Sequence, residues 1–417
     1  MEKREAGRLL CDFLSGRKMA ETRLEELSPA DGERLVDWAL RFKVGGLFYR
    51  EIISRNVPTA LFPDVARNRL KRAYRNLATI NTNLFFEGLK VLKSLAADQL
   101  PVIALKGLSL AKNIYGDIAL RPMSDLDLLV KEKDLVRAGR ILLTLGYKPY
   151  FPVWESMSKT YHHHLPPFTN KNGVMIELHW NIVTPDGPIK VDLDGLWERA
   201  RFIKLDAVEV LSLSPEDLFL HLCIHACFHL QTGFDLIPLC DLAGLMKTPG
   251  DGIDWPVVMD RAARWGGRKC VYLMLLLVRD LLGAAPPERI LSEMKPADYQ
   301  PDFFDGALEQ IFEGSPSDQV MRLRVGLLLK IKKSKGIRGK ILVLLKAAFP
   351  SPEYLARFYS VPVSFPKIYS YYFFHLGGLM VHYTIVLLRL FRRNQSAVKA
   401  VRQERRRSAV SDWMFSS

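Results

Sequence analysis

Asp125 and Asp127 stand one residue apart in the run "ALRPMSDLDLLV" (119–130), and an apolar residue follows each of them. Alternate residues of a strand share a face, so the two carboxylates point one way and Leu126, Leu128 and Val130 point the other. Two like charges side by side repel, and a divalent cation between them is the usual remedy. A third acid, Glu177, lies in "VMIELHW", where Met175, Glu177 and His179 share one face and Val174, Ile176 and Leu178 the other. Three carboxylates on the solvent-facing sides of two strands suit one or two Mg²⁺ (or Mn²⁺) ions, which bridge the phosphates of a nucleotide. A two-metal site of this kind holds the attacking and leaving oxygens during in-line displacement at phosphorus.

The surrounding elements must bring an anion to those acids. "PVIAL" (101–105) reads as a short buried strand, and Lys106-Gly107 follows it. A glycine there lets the backbone approach a phosphate closely, and the helix it opens favours the negative charge. Lys106 and Arg121 add positive charge for the same anion. "LSLAKNIYG" reads as a short helix ending at Gly116, "DLDLLV" as a strand, and "KEKDLVRAGRILLTLGY" as an amphipathic helix closing at Gly146. Asn172-Gly173, between "YHHHLPPFT" and "VMIELHW", signals a hairpin whose first run is demoted to an edge strand by its prolines.

The run "ALKGLSLAKNIYGDIALRPMSDLDLLV" resembles the uncharacterised nucleotidyltransferase family of the polymerase-β-like nucleotidyltransferase superfamily. The resemblance extends to "VMIELHWNI", "LHLCIHACFHL…LCDLAGLM" and "FPSPEYLARFY", covering roughly residues 75–360. It implies an α+β fold: a small mixed-sheet nucleotidyltransferase core flanked by N-terminal helices and a larger C-terminal helical domain. It further implies transfer of a nucleoside monophosphate from an NTP to a hydroxyl acceptor that the family does not identify. Gly107 matches the first glycine of the family motif, Asp125 and Asp127 the paired metal ligands, and Glu177 the third acid. That acid's role is to position or deprotonate the attacking hydroxyl. Leu108 stands where the superfamily usually has Gly or Ser, with Ser109 one residue later. Ser109 and Ser124, the latter in the "RPMSD" lead-in, join Lys106, Gly107 and Arg121 as nucleotide-binding candidates.

His221, His225 and His229 follow a spacing of four, along one helical face. Such spacing admits zinc if a third ligand arrives from elsewhere. No HExxH glutamate and no paired cysteines accompany it, so the face is expected to pack beside the site as neutral imidazoles. By the resemblance this helical region helps close the nucleotide cleft, which adds His225 and Asp241 to the candidates. Asp241 is placed to orient one of the histidines across a helical hairpin. On the edge strand, at most His162 and His164 can act together.

The division expected along the 417 residues is 1–97 helical, 98–205 the α/β core, 206–350 helical, and 351–417 a basic aromatic tail. Apolar residues make up 48% and charged ones 25%, a globular balance. Five cysteines with no CxxC pair argue for reduced thiols and a cytoplasmic setting. The net charge of +14 is uneven: residues 319–417 hold 19 Lys+Arg and three acids, leaving 40 basic against 42 acidic residues before them. A near-neutral core argues against nucleic acid as the partner. Residues 368–388 carry no formal charge and arginines crowd behind them. With both flanks basic, a helix that lies on the inner membrane face, its arginines on anionic headgroups, or that packs on the helical domain is preferred to a spanning one. A catalytically silent nucleotide-binding or regulatory protein of the same fold is the alternative, and a toxin-like enzyme that nucleotidylates protein or RNA a third.

Overall fold

The computed structural model describes the chain except for residues 1–2, 18–26, 56, 58–60, 151–153, 156–162, 233–234, 249–251, 314–315, 335, 353, 356–358, 360–365, 393 and 417. Two compact units emerge, one of residues 1–304 with 413–417 and one of residues 305–412. The N-terminal helices, the α/β core and the helices from 215 onwards, expected as separate regions, thus share the first unit.

Its centre is a seven-stranded mixed sheet of order β3-β4-β5-β2-β1-β7-β6. The strands are β1 (Ile103–Ala104), β2 (Leu126–Leu129), β3 (Lys148–Pro149), β4 (Phe168–Thr169), β5 (Met175–His179), β6 (Arg201–Leu205) and β7 (Val208–Ser212). β1 runs antiparallel to β2, and β2 runs parallel to β5, with Asp127 opposite Glu177 and Leu129 opposite His179. The α+β class read from the sequence is what the chain adopts. The hairpin signal at Asn172-Gly173 is also met. Asn170 Oδ1 accepts from the amides of Asn172 and Val174, and Gly173 takes φ of 77°, a left-handed conformation that costs glycine least. Its partner run pairs as β4 against β5.

Period-two alternation sets the burial. Leu126, Leu128, Val130, Ile176 and Leu178 enter one core with Leu84, Leu92 and Leu95 of the long helix Asp64–Ala97 and Leu135, Ala138 and Leu142 of the helix Leu135–Thr144. The helix expected to end at Gly116 runs Gly107–Asn113. The next residues turn, and Gly116 takes φ of 68°. Gly146, at φ of 86°, closes its helix as expected. The helix Pro215–Thr232 is packed by the helices Ile237–Lys247, Trp255–Arg264 and Arg268–Leu282, and Lys3–Ser15 packs on the last of these.

The second unit contains the helices Pro316–Lys333, Gly336–Ala348 and Tyr371–Phe391 and the final helix as far as Asp412. Val325, Leu329 and Ala400 form one small core there, and Leu355 with Ile368 another. Among the described residues no helix is long and apolar enough to cross a membrane.

Candidate active site

β2 ends the lead-in from Arg121 and delivers Asp127 to the floor of a cavity of about 430 Å³. Asp125 lines the same cavity with Lys106, Gly107, Arg121, Ser124, His225 and Asp241, so with Asp127 eight of the expected residues meet there. The acids are not on solvent-facing strand surfaces as expected. Leu222 and His225 of helix Pro215–Thr232 line the cavity with Asp125 and Asp127, Glu177 lies outside that lining, and the Asp127 and Glu177 side chains are only 7% and 20% exposed. Gly107 sits where a methyl group would come within 3.1 Å of Met123 Sδ, so its lack of a side chain is needed for packing as well as for access.

The polar contacts centre on Asp127. Lys106 Nζ donates to Asp127 Oδ2 at 2.9 Å, and His179 Nε2 donates to Oδ1 at 3.0 Å. His179 Nε2 also lies 3.4 Å from Glu177 Oε2. The register places Glu177 beside Asp127, and the ligand atoms of Asp127, Glu177 and His179 all lie within 4.8 Å of one another. A divalent metal can be held there. Asp125, though on the cavity wall, is not part of that cluster.

These contacts divide the acids electrostatically. Burial and then the charge of Asp127 push the Asp125 carboxyl up to about 6. Burial would raise Asp127 too, but Lys106 and His179 outweigh it and hold that carboxyl well below the usual range. For Glu177 the same burial is overcome by the hydrogen bond from His179 and the nearby His164, and its value falls. Burial alone would make His179 less basic, yet its bonds to Asp127 and Glu177 raise its value. Two neighbouring carboxylates are therefore already neutralised by the protein, whereas Asp125 has kept its electrostatic penalty.

Several candidates take other roles. The guanidinium of Arg121 is buried and makes a bidentate pair with Asp241, Nε to Oδ1 at 2.9 Å and Nη2 to Oδ2 at 2.8 Å. Tyr115 OH donates to the same Oδ1 at 2.7 Å. Asp241 thus orients Arg121 and not a histidine, because the cation and the phenol saturate its oxygens. Arg121 is correspondingly a tie across the cavity wall before it is a phosphate ligand. Ser109 is buried, outside the cavity lining, with Oγ 3.2 Å from Ser212 Oγ. Lys106 Nζ also donates to His225 Nε2 at 2.8 Å, and burial beside that ammonium holds His225 well below its ordinary value, as a neutral imidazole. His229 Nε2 lies 3.2 Å from the same nitrogen. Of the "HHH" run, His162 lies outside the described residues, and His164 bridges His179. The β4 that follows it lies between β3 and β5 and is not the edge strand expected, because β3 pairs with its outer side.

The sequence reading missed His179, although it had placed it on the face of Glu177. It also missed Lys43 and Asp235, which form a 3.1 Å ion pair and line the cavity with Leu77 and Ile80. Lys43, Leu77 and Ile80 come from the N-terminal helical region and Asp235 from the segment before the helix Ile237–Lys247, all without a motif, and only helix packing brings them in.

These features define a class: an α+β protein whose mixed sheet presents a carboxylate and imidazole cluster, able to hold a divalent metal, of which Asp127 lines a cavity of small-molecule size while Glu177 and His179 lie outside that lining. The chain belongs to the family described as Uncharacterised nucleotidyltransferase, which it matches over residues 28–283. That span takes in the whole sheet and its acids and stops short of "FPSPEYLARFY" (349–359). No curated protein and no solved structure matches the chain.

Proposed function

We propose that the protein is a metal-dependent nucleotidyltransferase that moves a nucleoside monophosphate from an NTP to a hydroxyl acceptor, a small molecule or a glycan-related sugar. The observation that carries this reading is the in-register pairing of Asp127 with Glu177 on parallel neighbours β2 and β5, with Asp127 lining a cavity that Asp125 also lines. Its volume falls in the range of small-molecule sites, roughly 300–1,000 Å³. The acceptor oxygen attacks the α-phosphorus, the bond from that phosphorus to the bridging oxygen breaks, and pyrophosphate leaves with the bonding pair. The hydroxyl proton passes to Glu177, which His179 and His164 keep ionised. Asp125 and Asp127 would hold Mg²⁺ or Mn²⁺ on the triphosphate, and Glu177 would complete the set. Such an ion, when bound, neutralises phosphate charge and lowers the acceptor hydroxyl's pKa.

Lys106 supplies a fixed positive charge beside Gly107, and the neutral His225 accepts its hydrogen bond without competing for it. Leu77, Ile80, Ile237 and Pro238 give an apolar wall for a base, and Lys43, Asp235 and His229 give polar groups for an acceptor. The second unit supports a location on an anionic bilayer. Residues 305–412 carry 19 Lys+Arg against seven acids, and Ile337, Phe373, Phe374 and Met380 are each more than 60% exposed. Exposed apolar side chains amid excess positive charge are the features of a surface that binds anionic headgroups.

One observation favours the catalytically silent reading: the hydroxyl following Gly107, that of Ser109, is buried against Ser212 and not at the cavity. Titration calorimetry with ATP, CTP, GTP and UTP, with and without Mg²⁺, separates the two. The expected result is one nucleotide that binds only with metal and whose binding is lost in Asp125→Asn. Binding indifferent to metal and to the substitution would transfer the protein to the silent class, and no binding at all would remove the nucleotide from the account.

A further inference from the structure

Resting on the nucleotidyltransferase reading, we infer that the site holds two unlike metals, and that the position formed by Asp127, Glu177 and His179 selects a first-row divalent transition ion over Mg²⁺. The two oxygens of Asp127 face different surroundings. Oδ2 meets Lys106 at 2.9 Å on the side of the cavity, and Oδ1 meets His179 Nε2 at 3.0 Å on the side of β5. Register fixes the second group, since Glu177 lies opposite Asp127 and His179 follows on the same face.

The two spacings from His179 are those of ligands on one small ion, and all three ligand atoms lie within 4.8 Å of one another. Donors bound at about 2.0–2.2 Å in tetrahedral or octahedral geometry stand about 3 to 3.5 Å apart. His179 Nε2 is 3.0 Å from Asp127 Oδ1 and 3.4 Å from Glu177 Oε2. The ring is 5% exposed, and its Nδ1 is buried without a hydrogen-bond partner, so every polar contact of the imidazole is made by the nitrogen aimed at the carboxylates. In the metal-free protein the Nε2–H of His179 lies between those acids. A divalent ion that takes its place needs Nε2 as a lone-pair donor.

Donor chemistry then decides the ion. Mg²⁺ takes oxygen ligands, retains several waters and demands near-ideal octahedral geometry. One imidazole with two carboxylates suits Mn²⁺, Fe²⁺ or Zn²⁺, which accept nitrogen and bind such sets more tightly. Asp125 is outside the cluster and, with Oδ2 of Asp127, offers oxygen alone on the cavity side. Mg²⁺ carrying a nucleotide fits there.

The test uses the full chain loaded with Mn²⁺ alone and pulsed electron paramagnetic resonance. The expected spectrum shows modulation from one directly bound imidazole nitrogen, which changes to the ¹⁵N pattern when the protein is made with ¹⁵N-histidine. His179→Gln keeps a donor toward the carboxylates but no imidazole. It is expected to abolish the modulation and to weaken Mn²⁺ by roughly 10- to 100-fold. Bound Mn²⁺ without nitrogen modulation, modulation that survives in His179→Gln, or no Mn²⁺ binding each overturns the inference. The labelled wild-type spectrum gives its answer even if the variant fails to fold. Mg²⁺-dependent nucleotide binding on the same preparation tells the two readings apart. If it is present without the nitrogen signal, only this inference fails. If it is absent while the signal is present, the nucleotidyltransferase reading fails and the metal site stands.

Discussion

Asp125→Asn should stabilise the metal-free protein even as it disables the site. The Asp125 carboxyl is pushed from an ordinary 3.8 to about 6, first by burial and then by the charge of Asp127. That shift of about two units corresponds to ~3 kcal/mol. Asp125 shares Lys106 and Asp127 with its neighbours, and its hydrogen bond from Ser124 becomes a weaker, neutral one on substitution, so a gain of about 1 to 3 kcal/mol is expected. The sign follows from linkage. Between the two values the folded protein binds more protons at Asp125 than the unfolded chain does, so this group lowers stability as pH rises from about 4 through about 6. Wild type and Asp125→Asn should therefore be about equally stable near pH 4, diverge between about pH 4 and pH 6, and stay apart by a constant margin above that, with the variant ahead. All seven tryptophans lie in the first unit, so urea unfolding followed by their fluorescence, in the presence of a chelator, reads this unit by itself. A variant that is less stable than wild type at neutral pH, or a difference that does not change with pH, would refute the electrostatic account of the site.

The opposite result is expected across the cavity. Asp241→Asn leaves the Arg121 guanidinium buried without its counter-charge and puts an NH₂ group where Nη2 of Arg121 donates to Oδ2. It should cost about 3 to 5 kcal/mol by the same fluorescence measurement, and a cost below about 1 kcal/mol would mean that the pair is not the tie described here. For the second unit, the full chain should co-sediment with vesicles containing phosphatidylserine and not with pure phosphatidylcholine, and it should be released as salt shortens the screening length from about 10 Å to 3 Å. Phe373→Ser with Phe374→Ser should weaken that binding. Equal binding to both vesicle types, or none to either, would remove the membrane from the account.

The parts of this site that local rules determine could be read in the sequence. Period-two alternation placed Asp127 and Glu177 on the faces opposite their apolar neighbours, and a turn signal at Asn172-Gly173 fixed the hairpin that supports β5. What could not be read was burial of the acids themselves. Alternation assigns a face but does not reveal that helix Pro215–Thr232 brings Leu222 and His225 to the same cavity, so carboxylates expected in solvent are buried or half-buried. Partner choice was equally hidden. Asp241 was placed on the right wall, but only the fold brings Arg121 and Tyr115 to its oxygens from 120 and 126 residues away. Lys43 and Asp235 carry no local signature, and their place in the cavity follows from helix packing alone.

The electrostatics of the three acids bear on whether the site works or is a remnant. Asp127 and Glu177 are satisfied within the protein, by Lys106, His179 and His164, and would persist in a fold that binds no metal. Asp125 differs, because among the described residues it forms no ion pair and its ionisation opposes folding at neutral pH. A silent protein would be more stable with Asn at that position and would lose nothing. A metal-dependent enzyme needs that charge, since a cation arriving with a nucleotide is then attracted by a carboxylate the protein has not already neutralised. Binding also recovers stability by mass action, about 2.7 kcal/mol at a hundredfold excess over Kd. The two ideas therefore differ in a single comparison: Mg²⁺ with nucleotide should stabilise the wild type more than Asp125→Asn if the charge serves the reaction, and should affect both equally if it does not.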